Sequence, residues 1–367
     1  MAARDASDVI SKNDYRTRYI NYYVKQRNTV GAIVNIVGGS GAANEASEVI
    51  YLQLGRTQVT EAELLRLTPP PPPVARSTTL FYNPGITPLS TVASSNGVFM
   101  TDGSSNLYII SPFASTVTFP FPITSLAVDP NGILYVATGS RIYQYMSNTI
   151  TDMNISNLTN VIQLAVSTGF FILEAGSSTI SMAPGSNSAA SVIAGSTPGF
   201  ADGNGTSAQF KTPQGFALDS GNLYIADSGN SLLRKMSTTS PYPVTSLAGN
   251  TTGFLNPFPT DNVGNRDGSG LHGMSLLFYP KGVTVSPYGV FIADTLNNNI
   301  RLFANGNLST YGGVPGTEPV YDVSPPGYVD GIALDSRWNE PSSISYYNSS
   351  LYITEPLNNA VRVLTIV

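Results

Sequence analysis

The sequence of 367 residues predicts an all-β protein, a six-bladed β-propeller that is closed by an N-terminal strand and preceded by a partly helical N-terminal arm. The first observation behind this prediction is an internal repeat. Residues 213–227, PQGFALDSGNLYIAD, align without gaps to four other segments and, with one extra residue, to a fifth. The gapless copies are 88–102, 160–174, 280–294 and 341–355, and the longer copy is 123–138.

Each copy has the pattern of a β-hairpin. In the copy at 213–227, Phe216 and Leu218 alternate with other residues, and so do Leu223 and Ile225 after the turn. Alternation of this kind is typical of strands with one buried face. The residues between the two runs are Asp-Ser-Gly-Asn, which favour a tight turn because Gly and Asn tolerate positive φ.

Further short runs after the copies are the second observation. A third apolar run follows most copies and ends at residues 146, 236, 303 and 364, and a fourth, small and β-prone run ends at 195, 249 and 313. Four short strands per unit, six units and no helix among them indicate a propeller. A four-stranded unit cannot bury both of its faces alone, whereas blades stacked around an axis can.

The last repeat is one strand short, which is the third observation. Its third strand ends at the C-terminus, so its fourth strand must come from elsewhere in the chain. Residues 78–82, Thr-Thr-Leu-Phe-Tyr, precede the first copy and have no other assignment. We predict that they pair with residues 360–365 and close the ring, because closure removes strand edges that would otherwise recruit other chains.

The repeat also carries a family resemblance. Residues 213–234 read P-x-G-(apolar)-A-(apolar)-D-x-x-G-N-L-Y-I-A-D-x-x-N-x-x-(apolar)-R, a pattern that resembles the NHL-repeat β-propellers. Asp-Gly pairs before the last three copies belong to the same resemblance, at Asp202, Asp267 and Asp330. It covers roughly residues 78–367, is weak before residue 194, and implies a fold rather than a ligand.

Composition restricts the function classes. Charged residues make up 11% of the chain, against about 25% in typical globular proteins. Residues 1–73 hold eight Lys/Arg and seven Asp/Glu, which leaves the propeller at −6. We therefore expect no nucleic-acid partner, since phosphate neutralisation dominates that affinity. The chain has no cysteine, no run long enough to span a membrane and no visible signal peptide, so a reducing cytoplasm is compatible with it.

Residues 1–68 lie outside the repeat and are expected to form an anchoring arm. A helix is predicted at about 8–27, with four tyrosines on one face: Tyr15, Tyr19, Tyr22 and Tyr23. A capping box at 60–63 predicts a short helix through 67, and five prolines open a stiff spacer at 69–77. The tyrosines either pack on the propeller itself or dock into a partner protein, and we prefer the second interpretation because a spacer separates arm and ring.

The leader residues 4–26 also resemble the N-terminal segments of structural proteins of large algal and protist DNA viruses. This resemblance implies a virion component whose arm docks to capsid proteins. Composition and periodicity give no information about a virion role.

Two sets of charged residues occupy fixed repeat positions. Carboxylates stand at Asp102, Glu174, Asp227, Asp294 and Glu355, and third-strand arginines stand at Arg234, Arg301 and Arg362. A ring of carboxylates could be catalytic, but this position directly precedes a turn, where an Asp side chain caps backbone N–H groups. We interpret both sets as structural, with the arginines paired to the carboxylates.

Other signals for chemistry are weak. The single histidine, His272, cannot by itself make a zinc site. Residues 202–206, Asp-Gly-Asn-Gly-Thr, place oxygens at alternate positions as calcium loops do, but Pro213 stands where such a loop carries its bidentate Glu. We predict no catalytic residue, no metal and no cofactor.

The expected function is that of a non-enzymatic structural or interaction protein, with a virion or else the cytoplasm as its location. The alternative is a glycan-binding attachment propeller, suggested by the Asn-rich residues 297–299 and by Tyr346 and Tyr347. A lyase or hydrolase with carboxylates on the axis is a third hypothesis, which raised carboxylate pKa values in the central channel would support.

Overall fold

The structure is a computed structural model that describes residues 33–36, 50–54, 57–59, 75–111, 114–251, 263–270, 275–316 and 324–366. The chain divides into two compact units, Met1–Pro73 and Val74–Val367. Several predicted features lie outside the described residues: both arm helices, the four arm tyrosines, the five prolines and His272. No helix in the described ranges is long and apolar enough to cross a bilayer.

The first unit contains a small antiparallel sheet. Its strands are β1 (Ile33–Ile36), β2 (Ile50–Leu54) and β3 (Thr57–Val59), in the order β1-β2-β3. The sequence pattern predicted no strand here. The β-branched residues in these segments favour extended backbone, but each run is too short for its periodicity to distinguish a strand from a loop.

The second unit is a six-bladed β-propeller. Blade 6 takes its fourth strand from β4 (Arg76–Tyr82), and the other strands follow in chain order. Blade 1 contains β5 (Ser90–Ser94), β6 (Gly97–Thr101), β7 (Asn106–Ser111) and β8 (Ser115–Thr118). Blade 2 contains β9 (Ser125–Val128), β10 (Leu134–Ala137), β11 (Ile142–Met146) and β12 (Thr149–Asp152). Blade 3 contains β13 (Val161–Val166), β14 (Phe170–Glu174), β15 (Thr179–Ala183) and β16 (Ser191–Gly195).

Blades 4 to 6 each have five strands. Blade 4 contains β17 (Gly203–Asn204), β18 (Gly215–Asp219), β19 (Asn222–Asp227), β20 (Leu232–Ser237) and β21 (Pro243–Ala248). Blade 5 contains β22 (Gly268–Ser269), β23 (Val283–Ser286), β24 (Gly289–Asp294), β25 (Asn299–Ala304) and β26 (Asn307–Gly312). Blade 6 contains β27 (Gly331–Ile332), β28 (Ile344–Tyr347), β29 (Ser350–Glu355), β30 (Ala360–Thr365) and β4. Short 3₁₀ helices are Gly205–Ser207, Ser228–Asn230, Thr295–Asn297, Ala333–Asp335 and Pro356–Asn358.

The extra strands of blades 4 to 6 come from the Asp-Gly segments. β17, β22 and β27 each pair with the outer edge of the fourth strand of their blade. The sequence predicted only a repeated turn at these segments. The fourth strands β8 and β12 were also not predicted, because Ser115–Thr118 and Thr149–Asp152 consist largely of Ser and Thr.

The closure of the ring is confirmed. β4 pairs antiparallel with β30, with Thr78 opposite Val363 and Tyr82 opposite Ala360. The strand begins at Arg76, so residues 76–77, which were predicted to belong to the spacer, are part of the propeller. The spacer prediction was wrong there because Ser77 is buried and its partner Leu364 lies in the core.

The first strands of the six blades line the central axis and contact their neighbours around the whole ring, including β28 with β5. Their close approach explains the Gly of the P-x-G motif. A Cβ on Gly215 would lie 2.2 Å from the Lys281 carbonyl oxygen, and one on Gly282 would lie 2.2 Å from that of Ser342. Larger residues at either position would push two first strands apart.

The apolar core lies between the blades. One cluster joins Phe171 and Leu173 of blade 3 to Phe216 and Ile225 of blade 4, and comparable clusters fill four other blade interfaces. Each blade therefore buries its faces against its neighbours, which is the arrangement that makes a closed set of repeats stable.

The register of closure can be tested with a disulfide, because the chain has no cysteine of its own. The pair Thr78→Cys and Val363→Cys occupies directly opposite positions on β4 and β30. We expect it to form on oxidation and to raise the free energy of unfolding by up to about 5 kcal/mol. Non-reducing electrophoresis and peptide mass spectrometry would detect the bond.

Thr78→Cys with Tyr352→Cys is the matched control. Tyr352 is opposite Val363 on β29, one strand further from β4, and two strand spacings of roughly 9–10 Å exceed the Cα separation that a disulfide spans. Equal crosslinking of the two pairs would contradict the register.

Candidate functional site

A buried arginine joins two carboxylates in blade 4. Arg234 donates through Nη1 to Asp227 Oδ2 at 2.8 Å and through Nη2 to Asp202 Oδ1 at 2.7 Å. The same guanidinium donates to the carbonyl oxygens of Gln209 and Ala201, at 3.1 and 2.8 Å. Arginine suits this position because its planar fork can serve several acceptors at once. The arginine thereby ties its own hairpin to the segment that enters the blade.

The same arrangement recurs in blades 5 and 6. Arg301 binds Asp294 at 2.7 Å and Asp267 at 2.8 Å. Arg362 binds Glu355 at 3.1 Å and Asp330 at 2.9 Å. The three arginine side chains and the inner carboxylates Asp227, Asp294 and Glu355 are inaccessible to solvent. The repeat positions that the sequence singled out are thus brought together in pairs.

The inner carboxylates also accept hydrogen bonds from the chain segment that precedes the first strand of their own blade. Asp227, Asp294 and Glu355 accept from the backbone N–H groups of Lys211, Phe278 and Asn339, at 2.8, 2.8 and 2.7 Å. Their side chains do not cap the 3₁₀ turns that follow them. The predicted turn-capping role is therefore wrong for these copies, since each carboxylate points back toward the preceding segment and the arginine.

Burial dominates the electrostatics of these carboxylates. It raises the pKa of Asp227 to about 6 and that of Glu355 to about 7, although Arg234 and Arg362 act in the opposite direction. Burial also raises the pKa of Asp294, against the charge of Arg301. None of the three lines the central cavity, so these raised pKa values do not support an acid–base site on the axis.

Asp102 and Glu174 occupy the same repeat position in blades without the arginine. Asp102 Oδ1 accepts from the Ser104 backbone N–H at 3.0 Å, and Oδ2 accepts from the Tyr108 hydroxyl at 3.1 Å. Glu174 accepts from the hydroxyl of Thr159 at 2.8 Å. Asp102 thus caps the turn that follows it, as predicted, and both residues act within their own blade.

The first carboxylate of the calcium-like loop, Asp202, is bound by hydrogen-bond donors of the protein itself. Besides Arg234, the Asp202 carboxylate accepts from the backbone N–H and the hydroxyl of Ser246, both at 3.0 Å. Across the described ranges, no three His, Asp or Glu side chains converge as a metal site requires. Asp202 is better explained as the outer partner of the buried arginine.

The asparagine triplet that suggested a glycan loop is buried, which corrects that interpretation. Asn297 donates to Asp294 at 2.8 Å, Asn298 donates to the Ser324 carbonyl at 2.8 Å, and Asn299 donates to Asn265 at 3.1 Å. These amides connect loops inside the propeller. Of the two tyrosines, Tyr346 is half-buried and Tyr347 remains 37% exposed.

A cavity of about 450 Å³ lies on the axis of the ring. All six blades contribute to its lining, and its charged side chains are Asp129 and Asp219. Asp129 directly follows the first strand of blade 2 and Asp219 is the last residue of the first strand of blade 4, so both lie where the hairpin turn begins. We call the side of the ring that carries the turns between first and second strands the turn face, and the cavity reaches it at these two residues.

Serine hydroxyls bridge neighbouring first strands around this cavity. The backbone N–H groups of Thr91 and Ala93 donate to Ser343 Oγ and Ser345 Oγ, both at 3.1 Å. The Leu126 N–H donates to Ser90 Oγ at 3.3 Å. At the contacts of blade 6 with blade 1 and of blade 1 with blade 2, serine hydroxyls thus satisfy backbone N–H groups at the strand edge.

A second concavity of about 320 Å³ also opens on the turn face, between blades 4 and 5. Its lining includes the rings of Tyr224, Tyr288 and Phe303, and it shares Asp219 with the central cavity. This groove was not predicted from the sequence, because its residues come from three different turns and from strands of two blades. Tyr288, at a hairpin tip beside Pro287, was the available signal.

Comparisons with known proteins support the fold alone. No protein-family model and no curated protein sequence matches the chain. A Bacteroides thetaiotaomicron protein described as of unknown function is 16% identical, with a TM-score of 0.61 and coverage of 91% of this chain and 87% of that one. An auxiliary nutrient binding protein from Bacteroides ovatus is 14% identical, with a TM-score of 0.59 and coverage of 80% and 77%.

An enzyme is also among the similar structures. A gluconolactonase from Xanthomonas campestris is 12% identical to this chain, with a TM-score of 0.52 and coverage of 81% of this chain and 95% of that one. Binding proteins and enzymes therefore share this fold, and identities this low show the architecture rather than the activity.

The buried arginine can be tested in blade 4. Arg234→Met leaves the Asp227 carboxylate buried without its cation, which should lower the free energy of unfolding by about 3–5 kcal/mol. Arg141→Met is the matched control, because Arg141 pairs with Asp152 at the surface and exposed pairs contribute less than about 1 kcal/mol. Urea unfolding followed by the fluorescence of Trp338, the single and fully buried tryptophan, would measure both. Equal losses in the two variants would contradict the role of the buried pair.

The raised pKa values predict a pH dependence. The folded-state pKa of Glu355, about 7, lies above its ordinary value of 4.5. Between these two pH values the folded protein therefore holds a proton that the unfolded chain has released. Stability from this group should therefore be greatest below about pH 4.5, fall as the pH rises to about 7, and then stay level. Urea unfolding at several pH values should show a shallower decline for Glu355→Gln than for the wild type, and an unchanged slope would contradict the assignment.

Proposed function

We propose that this chain is a non-enzymatic structural and interaction protein, in which the propeller is a binding or bridging module and residues 1–68 attach it to a larger assembly. The observation that carries the proposal is that the arginines and carboxylates at the fixed repeat positions of blades 4 to 6 are buried and paired with one another. The inner carboxylates and their arginines are bonded to one another and to backbone inside the blades, so they serve the fold.

The two concavities favour a binding role for the ring. Both open on the turn face, and they share Asp219. Their volumes fall within the range of roughly 300–1,000 Å³ that is usual for small-molecule sites. The similarity to nutrient-binding propellers is consistent with such a role, although it supports no particular ligand.

The finer proposal is a capsid-associated component of a virion. Its support is the resemblance of residues 4–26 to leaders of viral structural proteins, together with the tyrosines Tyr15, Tyr19, Tyr22 and Tyr23 as the docking face. Under this proposal the partners are capsid proteins, and no cofactor is involved.

Deletion of residues 1–73 tests the attachment role, because the remaining chain keeps β4 and with it the closed ring. The truncated protein should remain folded by circular dichroism but should fail to co-purify with the assembly that retains the full chain. The variant Tyr19→Ala with Tyr22→Ala, in the full chain, should weaken retention in the same direction. A folded, truncated ring that is retained as well as the full chain would contradict the proposal.

A further inference from the structure

The groove between blades 4 and 5 is lined by aromatic and small polar side chains. Its polar side chains are Asp219, Ser286 and Asn305, and no lysine or arginine lines it. Tyrosine, serine and asparagine are also the residues that recognition loops favour, since tyrosine supplies large, rigid contact area and the others supply adaptable hydrogen bonds.

Tyr288 is held outward by its turn. Its side chain is 44% exposed, its backbone N–H donates to Ser286 Oγ at 3.1 Å, and the same hydroxyl donates to the Gly289 carbonyl at 3.0 Å. Gly289 has a φ of +134°, and a Cβ there would lie 2.5 Å from the Phe303 carbonyl oxygen. The turn is therefore fixed before a ligand arrives, which lowers the entropy that binding must overcome.

Three aromatic residues line the groove. No two of Tyr224, Tyr288 and Phe303 form a ring–ring contact of the kind seen for other aromatic pairs of this propeller. Rings that recognise a single cation converge around it. Separated rings beside hydrogen-bonding groups instead suit an extended ligand that alternates apolar and polar surfaces.

We propose that this groove binds a neutral glycan. A sugar ring has a face of C–H groups that can stack on the exposed Tyr288 ring, and hydroxyls that can donate to the Asp219 carboxylate and accept from the Asn305 amide. The volume of about 320 Å³ suits a short oligosaccharide. Asp219 lines both the groove and the central cavity. This inference rests on the binding role proposed for the propeller and specifies its ligand class.

The test uses the full chain on an array of neutral and acidic oligosaccharides, with isothermal titration of the best neutral ligand. Tyr288→Ala and Asp219→Asn should each weaken that ligand at least about tenfold, because both groups would contact the sugar directly. Tyr347→Ala is the matched control, since Tyr347 is 37% exposed beside the corresponding turn of blade 6 and does not line the groove. It should change the affinity by less than about twofold.

Three results would overturn the proposal. The first is an array with no neutral glycan bound, and the second is a neutral glycan whose affinity is unchanged in Tyr288→Ala. The third is binding of tetramethylammonium in the groove without any glycan, which would make it a cation site. Circular dichroism of each variant establishes that the ring is folded. Because retention in the assembly is measured separately with the 1–73 deletion, a glycan-free groove leaves the attachment role standing, and the reverse also holds.

Discussion

The rest of this structure depends on how closely the six first strands approach one another at the axis. At Gly215 and Gly282 the backbone of the next blade lies so close that it leaves no room for a Cβ atom. Between blades 6 and 1, the hydroxyls of Ser343 and Ser345 accept hydrogen bonds from backbone N–H groups of the neighbouring strand. This packing forces each blade to splay outward. In blades 4 to 6 the entering segment is also bound to the hairpin, by Arg234, Arg301 and Arg362.

The ring is therefore built in two ways. Blades 4 to 6 combine a buried arginine, two carboxylates and a fifth strand, whereas blades 1 to 3 have four strands and rely on apolar packing and local hydrogen bonds. Asp102 illustrates the difference, because it binds only groups of its own hairpin. The two halves meet at two interfaces, between blades 3 and 4 and between blades 6 and 1.

The fold was largely predictable from the sequence, since a gapless 15-residue repeat fixes strand length, turn position and blade number together. Closure by residues 78–82 followed from counting strands, and β4 confirms it. Strands such as β8 escaped prediction because Ser and Thr carry little periodic signal. The groove could not be predicted, because Asp219 and Tyr288 meet only through the stacking of two blades. Burial of the asparagines at 297–299 likewise depends on loops distant in sequence.

The closing strand has a mechanical consequence. β4 and β30 run antiparallel, and Arg76 lies directly opposite Thr365, so the chain enters and leaves the sheet at the same corner. A pull applied across these two positions would load the ladder one hydrogen bond at a time, like a zipper, instead of shearing all of them together. A force applied through the other blades would not pull directly on the β4–β30 ladder, so it would not break these hydrogen bonds one after another.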